Sequence, residues 1–147
     1  MVEYALRPAA GTDFPAIRAL IRRVRINPTG LDWRRFTVAV SPSGELIACG
    51  QIKPVPGGLW ELASLAVLPE YRRQGIASAI IRELIADAPR PLYLTCRAEL
   101  GRFYDQYGFE VVRAEAMPRY YRRLQRLVSA FIKMTRDSDG LLVMKLS

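Results

Sequence analysis

Histidine is absent from the 147 residues. With it go imidazole general bases, histidine-based triads and histidine-rich zinc sites. Any proton transfer has to use carboxylate, tyrosine, water or backbone. Cysteine is nearly absent: Cys49 and Cys96 are the only two, each inside an apolar strand-like run. That placement suits reduced, buried thiols in a cytosolic protein better than a disulfide framework. No apolar run approaches the roughly 20 residues of a membrane span, so no spanning helix is expected. The opening stretch Met1-Val2-Glu3-Tyr4-Ala5-Leu6-Arg7-Pro8 has no basic region followed by an apolar one, which predicts folded sequence rather than a secretion leader. Lysine is scarce, and the formal net charge of +8 rests almost entirely on arginine. Such a surface attracts phosphates, nucleic acid, anionic lipid or acidic substrates, and charge alone does not choose among them.

What is present is enough for one core, since half of the residues are hydrophobic and the length is that of one domain. Residues 1–147 are expected to form a single domain. Residues 2–7 alternate as a first strand. Thr12-Asp13 before Phe14-Pro15 reads as a helix cap with proline just inside, and Phe14, Ile17, Leu20, Ile21 and Val24 recur at helical spacing. A helix over about 13–25 follows, with Arg18, Arg22, Arg23 and Arg25 mainly on its solvated face. Phe36 to Val40, Leu46 to Ile52 and Leu59 to Val67 read as strands separated by Ser41-Pro42-Ser43-Gly44 and Pro54-Val55-Pro56-Gly57-Gly58, hairpin chemistry that predicts an antiparallel meander. The period then changes: Ile76, Ala77, Ile80, Ile81, Leu84 and Ile85 mark a helix ending near Pro89. A strand at 91–96 completes a crossover unit and calls for one parallel pair. A short helix at 99–107, a strand at 109–113, a helix at about 119–134 and a last strand at 141–146 complete a mixed α/β chain.

Chemistry concentrates at Leu65-Ala66-Val67-Leu68-Pro69-Glu70-Tyr71-Arg72-Arg73-Gln74-Gly75-Ile76-Ala77. A buried strand ends, a turn follows, and glycine precedes a helix. Free amides and the helix macrodipole at that end attract phosphate or pyrophosphate, and glycine lets the anion approach the main chain. The segment resembles the acetyl-CoA-binding signature of the GCN5-related N-acetyltransferase (GNAT) superfamily, a Gln/Arg-x-x-Gly-x-Gly/Ala turn that stands here as Arg72-Arg73-Gln74-Gly75-Ile76-Ala77. The order of elements from about residue 2 to 113, with 141–146 as closing strand, is similar to that family's. The resemblance implies an α/β fold: a mixed, mostly antiparallel central sheet, helices on both faces, and a parallel strand pair splayed at the cofactor site.

It also implies roles. The amides of Arg73, Gln74, Gly75, Ile76 and Ala77 would bind the pyrophosphate of acetyl-CoA, the cosubstrate, with Arg72 at the mouth of the turn. Pantetheine would pair with main chain around Ala66 and Val67. A bulge in the fourth strand would free amides from the ladder, and the Leu65 N–H is the candidate oxyanion donor. Glu61, four residues before Leu65, shares its face if the strand is regular. Its position is similar to the general-base glutamate of the histone acetyltransferase branch, and Trp60-Glu61-Leu62-Ala63 resembles a strand of the N-acetylglutamate synthase branch. An ammonium-binding carboxylate, with deprotonation left to water, is the alternative. Tyr104 lies in Arg102-Phe103-Tyr104-Asp105-Gln106-Tyr107-Gly108-Phe109, which resembles the family's aromatic-Tyr-x-x-x-Gly-Phe segment, and that implies a general acid meeting the CoA sulfur. Many members carry an asparagine near the start of this helix; Arg97-Ala98-Glu99-Leu100-Gly101 lacks one.

The expected activity is therefore acetyl transfer from acetyl-CoA to a primary amine by direct attack, with no metal. The acceptor is a small-molecule or protein amine, nucleic acid is not an expected partner, and the protein is expected to be cytoplasmic and monomeric or homodimeric. A non-catalytic module binding CoA or an anionic partner on the same fold is the alternative. Leu124, Leu127, Val128 and Phe131 with Arg119, Arg122, Arg123, Arg126 and Lys133 make the 119–134 helix basic and amphipathic, an addition to the domain. Its Tyr120 and Tyr121 are candidates to line an acceptor pocket.

Overall fold

Alternation and turn chemistry become seven strands in the computed structural model, which describes residues 2–135 and 140–147. The strands are β1 (Ala5–Pro8), β2 (Phe36–Val40), β3 (Leu46–Val55), β4 (Leu59–Val67), β5 (Leu92–Arg97), β6 (Glu110–Val111) and β7 (Leu141–Leu146). They are hydrogen-bonded in the order β1-β2-β3-β4-β5-β7-β6. The sheet is mostly antiparallel, and β4 pairs in parallel with β5 through Trp60↔Leu92 and Glu61↔Tyr93. That parallel pair is reached through α2 (Ile76–Ala86), as a crossover requires. The other helices are α1 (Phe14–Val24), α3 (Gly101–Asp105) and α4 (Arg119–Thr135). No helix among the described residues is long and apolar enough to cross a membrane.

Two compact units divide the chain: Met1–Lys53 with Leu62–Ala88, and Pro54–Glu61 with Pro89–Ser147. In the first, Ile17, Leu20 and Ile21 of α1, Phe36, Val38 and Ala39 of β2, Ile47, Ala48 and Cys49 of β3, and Ile76, Ile80 and Ile81 of α2 are buried. The α1 arginines are exposed, as its periodicity implies. Gly50 admits α2 closely: a Cβ there would stand 3.0 Å from both Ile80 Cγ2 and Leu84 Cδ1. In the second unit Val55, Tyr93, Val112, Met117, Tyr121 and Val143 form the core, with Leu59, Tyr120 and Leu124 packed against it. Gln125 Nε2 donates to Leu141 O at 3.1 Å, tying α4 to β7. The side chains of Phe131 and Lys133 lie outside the described residues.

Several expectations shift for local reasons. The first strand starts at Ala5 rather than Val2, because the Val2 N–H donates to Gln74 Oε1 at 3.2 Å. Asp13 stands at the N-cap of α1, but its side chain makes no capping hydrogen bond to that helix. Its carboxylate takes the Ala10 N–H at 2.7 Å and pairs with Arg7, also at 2.7 Å, and that guanidinium holds its pKa below the usual carboxylate value. The strand expected to end at Ile52 runs on to Val55, leaving Pro56-Gly57-Gly58 as the turn, both glycines at positive φ. The helix expected over 99–107 is a 3-10 turn at Ala98–Leu100 followed by α3. The strand expected over 109–113 is reduced to Glu110–Val111, since Phe109 turns fully inward.

Both cysteines are free and buried. Burial pushes the Cys49 thiol up from 9.0 to about 12 and the Cys96 thiol to about 11, so neither is a thiolate nucleophile near neutrality. The folded state therefore holds the Cys49 proton more tightly than the unfolded chain does. The stability this contributes is complete below 9.0 and is lost as pH rises toward about 12. The urea midpoint is accordingly expected to fall between about pH 8 and about pH 10, and to fall less steeply in Cys49→Ala.

Candidate functional site

In the first unit, β4 carries an irregularity at Ser64, whose φ of 57° is a left-handed conformation that a non-glycine residue adopts at a cost. Neighbours over-determine it. Gln51 Nε2 donates to Ser64 Oγ at 2.9 Å and to Gly30 O at 3.1 Å, and Cys49 Sγ donates to Ser64 O at 3.5 Å. Gln51 is fully buried, and its Oε1 has no hydrogen-bond partner among the described residues. The irregularity falls between Glu61 and Leu65, so their side chains do not follow simple alternation along the strand. Sequence reasoning missed Gln51 and Ser64; polar residues inside otherwise apolar strand runs are the signal that could have found them.

Beyond Leu65, Ala66 and Val67, a 3-10 turn at Pro69–Tyr71 directs the Tyr71 and Arg72 N–H groups back to Leu68 O and Pro69 O. Arg23 pairs with Glu70, and the Tyr71 hydroxyl donates to Glu45 Oε2 at 3.3 Å. These contacts tie the turn to α1 and to β3's leading edge. Arg73 at φ 64° and Gly75 at φ 78° then bring the chain into α2, Gly75 being its N-cap. The Ala79 N–H donates to Gly75 O at 3.1 Å, the opening hydrogen bond of that helix. The amides just before it are those that a helix leaves without an internal acceptor. Nothing among the described residues lies within 4 Å of where a Gly75 Cβ would stand, while Arg72, Arg73 and Gly75 are exposed. Left-handed turn, helix N-terminus, open approach and two arginines are the features that suit an anion.

In the second unit, Glu61 is buried with 7% of its surface exposed. The Tyr121 hydroxyl donates to Glu61 Oε1 at 2.8 Å. Tyr121 stacks on Tyr93 at 5.2 Å between ring centroids and meets Tyr120 edge-on at 4.9 Å. Tyr104, on α3, lies edge-on to Phe103 at 5.1 Å and to Phe109 at 6.2 Å. Burial, then the neighbouring Cys96 and Tyr107, push its phenol up to about 12, so it keeps its proton throughout the neutral range. The N–H groups of Tyr107 and Gly108 turn back to Tyr104 O and Asp105 O; α3 ends at Asp105 with Gln106 as its C-cap, so Gly108 at φ 97° closes the following turn rather than the helix.

A family model described as the acetyltransferase (GNAT) family matches residues 5–109. Among solved structures, N-acetylglutamate synthase from Neisseria gonorrhoeae, complexed with coenzyme A and N-acetyl-glutamate, is 19% identical with a TM-score of 0.70. That match covers 100% of this chain and 36% of the synthase chain, so the present chain spans about a third of its length. Rv2747 from Mycobacterium tuberculosis, in complex with CoA, is 20% identical with a TM-score of 0.70 over 97% of this chain and 99% of that one. An acetyltransferase of the GNAT family from Bacillus cereus is 13% identical with a TM-score of 0.68, covering 97% and 96%. These likenesses establish the fold. No curated protein matches the sequence. The family match spans well over half of the chain, including β4, the turn at 72–77 and Tyr104: the chain belongs to the acetyltransferase (GNAT) family.

Proposed function

We propose that this chain, acting as one acetyltransferase domain with α4 as an addition, moves the acetyl group of acetyl-CoA to a primary amine by direct attack. The carrying observation is the cradle at Arg72–Ala77, with left-handed Gly75 capping α2 and open space where its Cβ would stand. Those features fit a pyrophosphate. The amides of Arg73, Gln74, Gly75, Ile76 and Ala77 hold it, and Arg72 supplies charge. Ala66 and Val67 offer main chain to the pantetheine arm, next to the irregularity at Ser64. Acetyl-CoA supplies the thioester; the remaining work falls to the protein's own groups. The Leu65 N–H is directed at the carbonyl oxygen as it gains charge, a contribution of roughly 2.7–4 kcal/mol to lowering the barrier. Glu61 takes a proton from the amine, and Tyr104 donates to the departing sulfur.

One observation favours a second role for Glu61. A phenol that donates to a carboxylate favours its charged form, so the Tyr121 bond also suits a carboxylate that anchors the substrate ammonium while water removes the proton. The non-catalytic alternative has no such support: it leaves the half-buried Tyr104, protonated at neutral pH, without a role. The reading includes a cytoplasmic enzyme, monomeric or homodimeric, that uses no metal and no nucleic acid. Since a structural neighbour is an N-acetylglutamate synthase, amino-acid amines head the acceptor screen, followed by polyamines and protein amines.

Calorimetric titration with acetyl-CoA tests the cofactor half: binding at tens of micromolar is expected, and its absence sinks the reading. Gly75→Ala sharpens that test. A Cβ at φ 78° costs about 1 kcal/mol in the fold, and it also stands in the open space assigned to the anion. The KM for acetyl-CoA is expected to rise about tenfold or more, with the amine KM unchanged in steady-state assays.

A further inference from the structure

Glu61 and Tyr121 are 60 residues apart in sequence, yet the Tyr121 hydroxyl reaches Glu61 Oε1 at 2.8 Å in the buried part of the second unit. The phenol has little freedom to turn away. Its ring is fully buried among Val55, Val112, Met117 and Val143, lies 29° from the plane of Tyr93, and meets Tyr120 at 73°. Tyr93 is also the ladder partner of Glu61 on β5. The strand register that sets Glu61 therefore sets the ring on which its donor stacks.

We propose that Tyr121 is a positioning residue for acetyl transfer: its hydroxyl pins one oxygen of Glu61, fixing the carboxylate's rotamer and weakening its basicity. This rests on the reading of Glu61 as the group that meets the acceptor amine. It makes α4 part of the catalytic apparatus rather than a solvated addition. The phenol serves as donor only, because burial and then the negative charge of Glu61 raise its pKa well above the ordinary 10.0. Tyr120 is raised for the same two reasons. Among the described residues of this unit, Tyr93 from β5 and Tyr120 from α4 are titratable groups that face the pair. Removing a hydrogen bond to the charged form favours the neutral carboxyl, so loss of the Tyr121 hydroxyl raises the pH at which Glu61 titrates.

The test needs no knowledge of the acceptor. The full chain is labelled with 13C in its glutamate carboxyls, and Glu61 is assigned by the resonance missing from Glu61→Gln. Tyr121→Phe, which keeps the buried ring, is expected to raise the Glu61 midpoint by about one pH unit. Tyr120→Phe, which removes a hydroxyl not bonded to Glu61 Oε1, is expected to move it by less than about a third of that. A Tyr121→Phe midpoint that stays in place, or moves no more than in Tyr120→Phe, overturns the inference. Once an acceptor is found, the acidic limb of kcat against pH is expected to follow the NMR midpoint upward. A moved midpoint with an unmoved limb leaves the hold on Glu61 established and overturns the base reading instead.

Discussion

Glu61→Gln is expected to lower kcat by about 10² to 10³ and to abolish the acidic limb of the rate profile, with the amine KM changed by less than about threefold. The substitution is nearly isosteric and keeps an oxygen able to accept from Tyr121, so the buried cluster of Tyr93, Tyr120 and Tyr121 has no cavity to fill. What is lost is proton affinity. An amine bound as ammonium must shed a proton before its lone pair can attack, and glutamine cannot take it. If Glu61 only anchors the ammonium, the same variant loses a charge partner in the ground state and the transition state alike. KM then rises, while kcat stays within a few-fold and the acidic limb survives. Steady-state kinetics across pH with a saturating and a limiting amine series separate the two, since one role appears in kcat and the other in KM.

The parts of this molecule that were legible in the sequence are those whose physics is local. The turn at 72–77 could be read because glycine at a helix entrance, flanked by arginines after an apolar strand, restricts both backbone and ligand; Gly75 is left-handed at φ 78° as that reading requires. Helix periodicity placed Ile17, Leu20 and Ile21 inward, and crossover geometry gave the parallel pairing of β4 with β5. Asp13 shows where local chemistry misleads. It occupies the N-cap position of α1, as its residue type suggests, but Arg7 and the Ala10 amide take the carboxylate that would have capped the helix. Glu61 was recognisable as a carboxylate on β4; its partner was not. Nothing in the α4 sequence distinguishes Tyr120 from Tyr121 as the donor, because the choice depends on which face packs on Tyr93. Ser64 was hidden for a similar reason: its left-handed backbone is held by Gln51 and Cys49 of β3, contacts between residues distant in sequence.

Tyr104→Phe is expected to lower kcat by about tenfold to a hundredfold, less than loss of the base, while the calorimetric affinity for CoA stays within about threefold. The reasoning starts from proton affinities. Tyr104 holds its proton up to about 12 because it is buried among Phe103, Phe109 and the Cys96 neighbourhood, whereas an ordinary thiol titrates near ~8.5. Complete transfer from such a phenol to a free thiolate is uphill, so the role proposed for Tyr104 is to donate a hydrogen bond to sulfur as the C–S bond lengthens. Two consequences follow from that sign. The rate should show no basic limb from Tyr104 until pH nears about 12, since the donor form persists throughout the usable range. The variant should also become more sensitive to the leaving group: with acetyl thioesters of more acidic thiols, the deficit relative to wild type should shrink, because a better leaving group needs less help. A deficit that is the same for every thiol would assign Tyr104 to packing alone, as would a kcat within twofold of wild type.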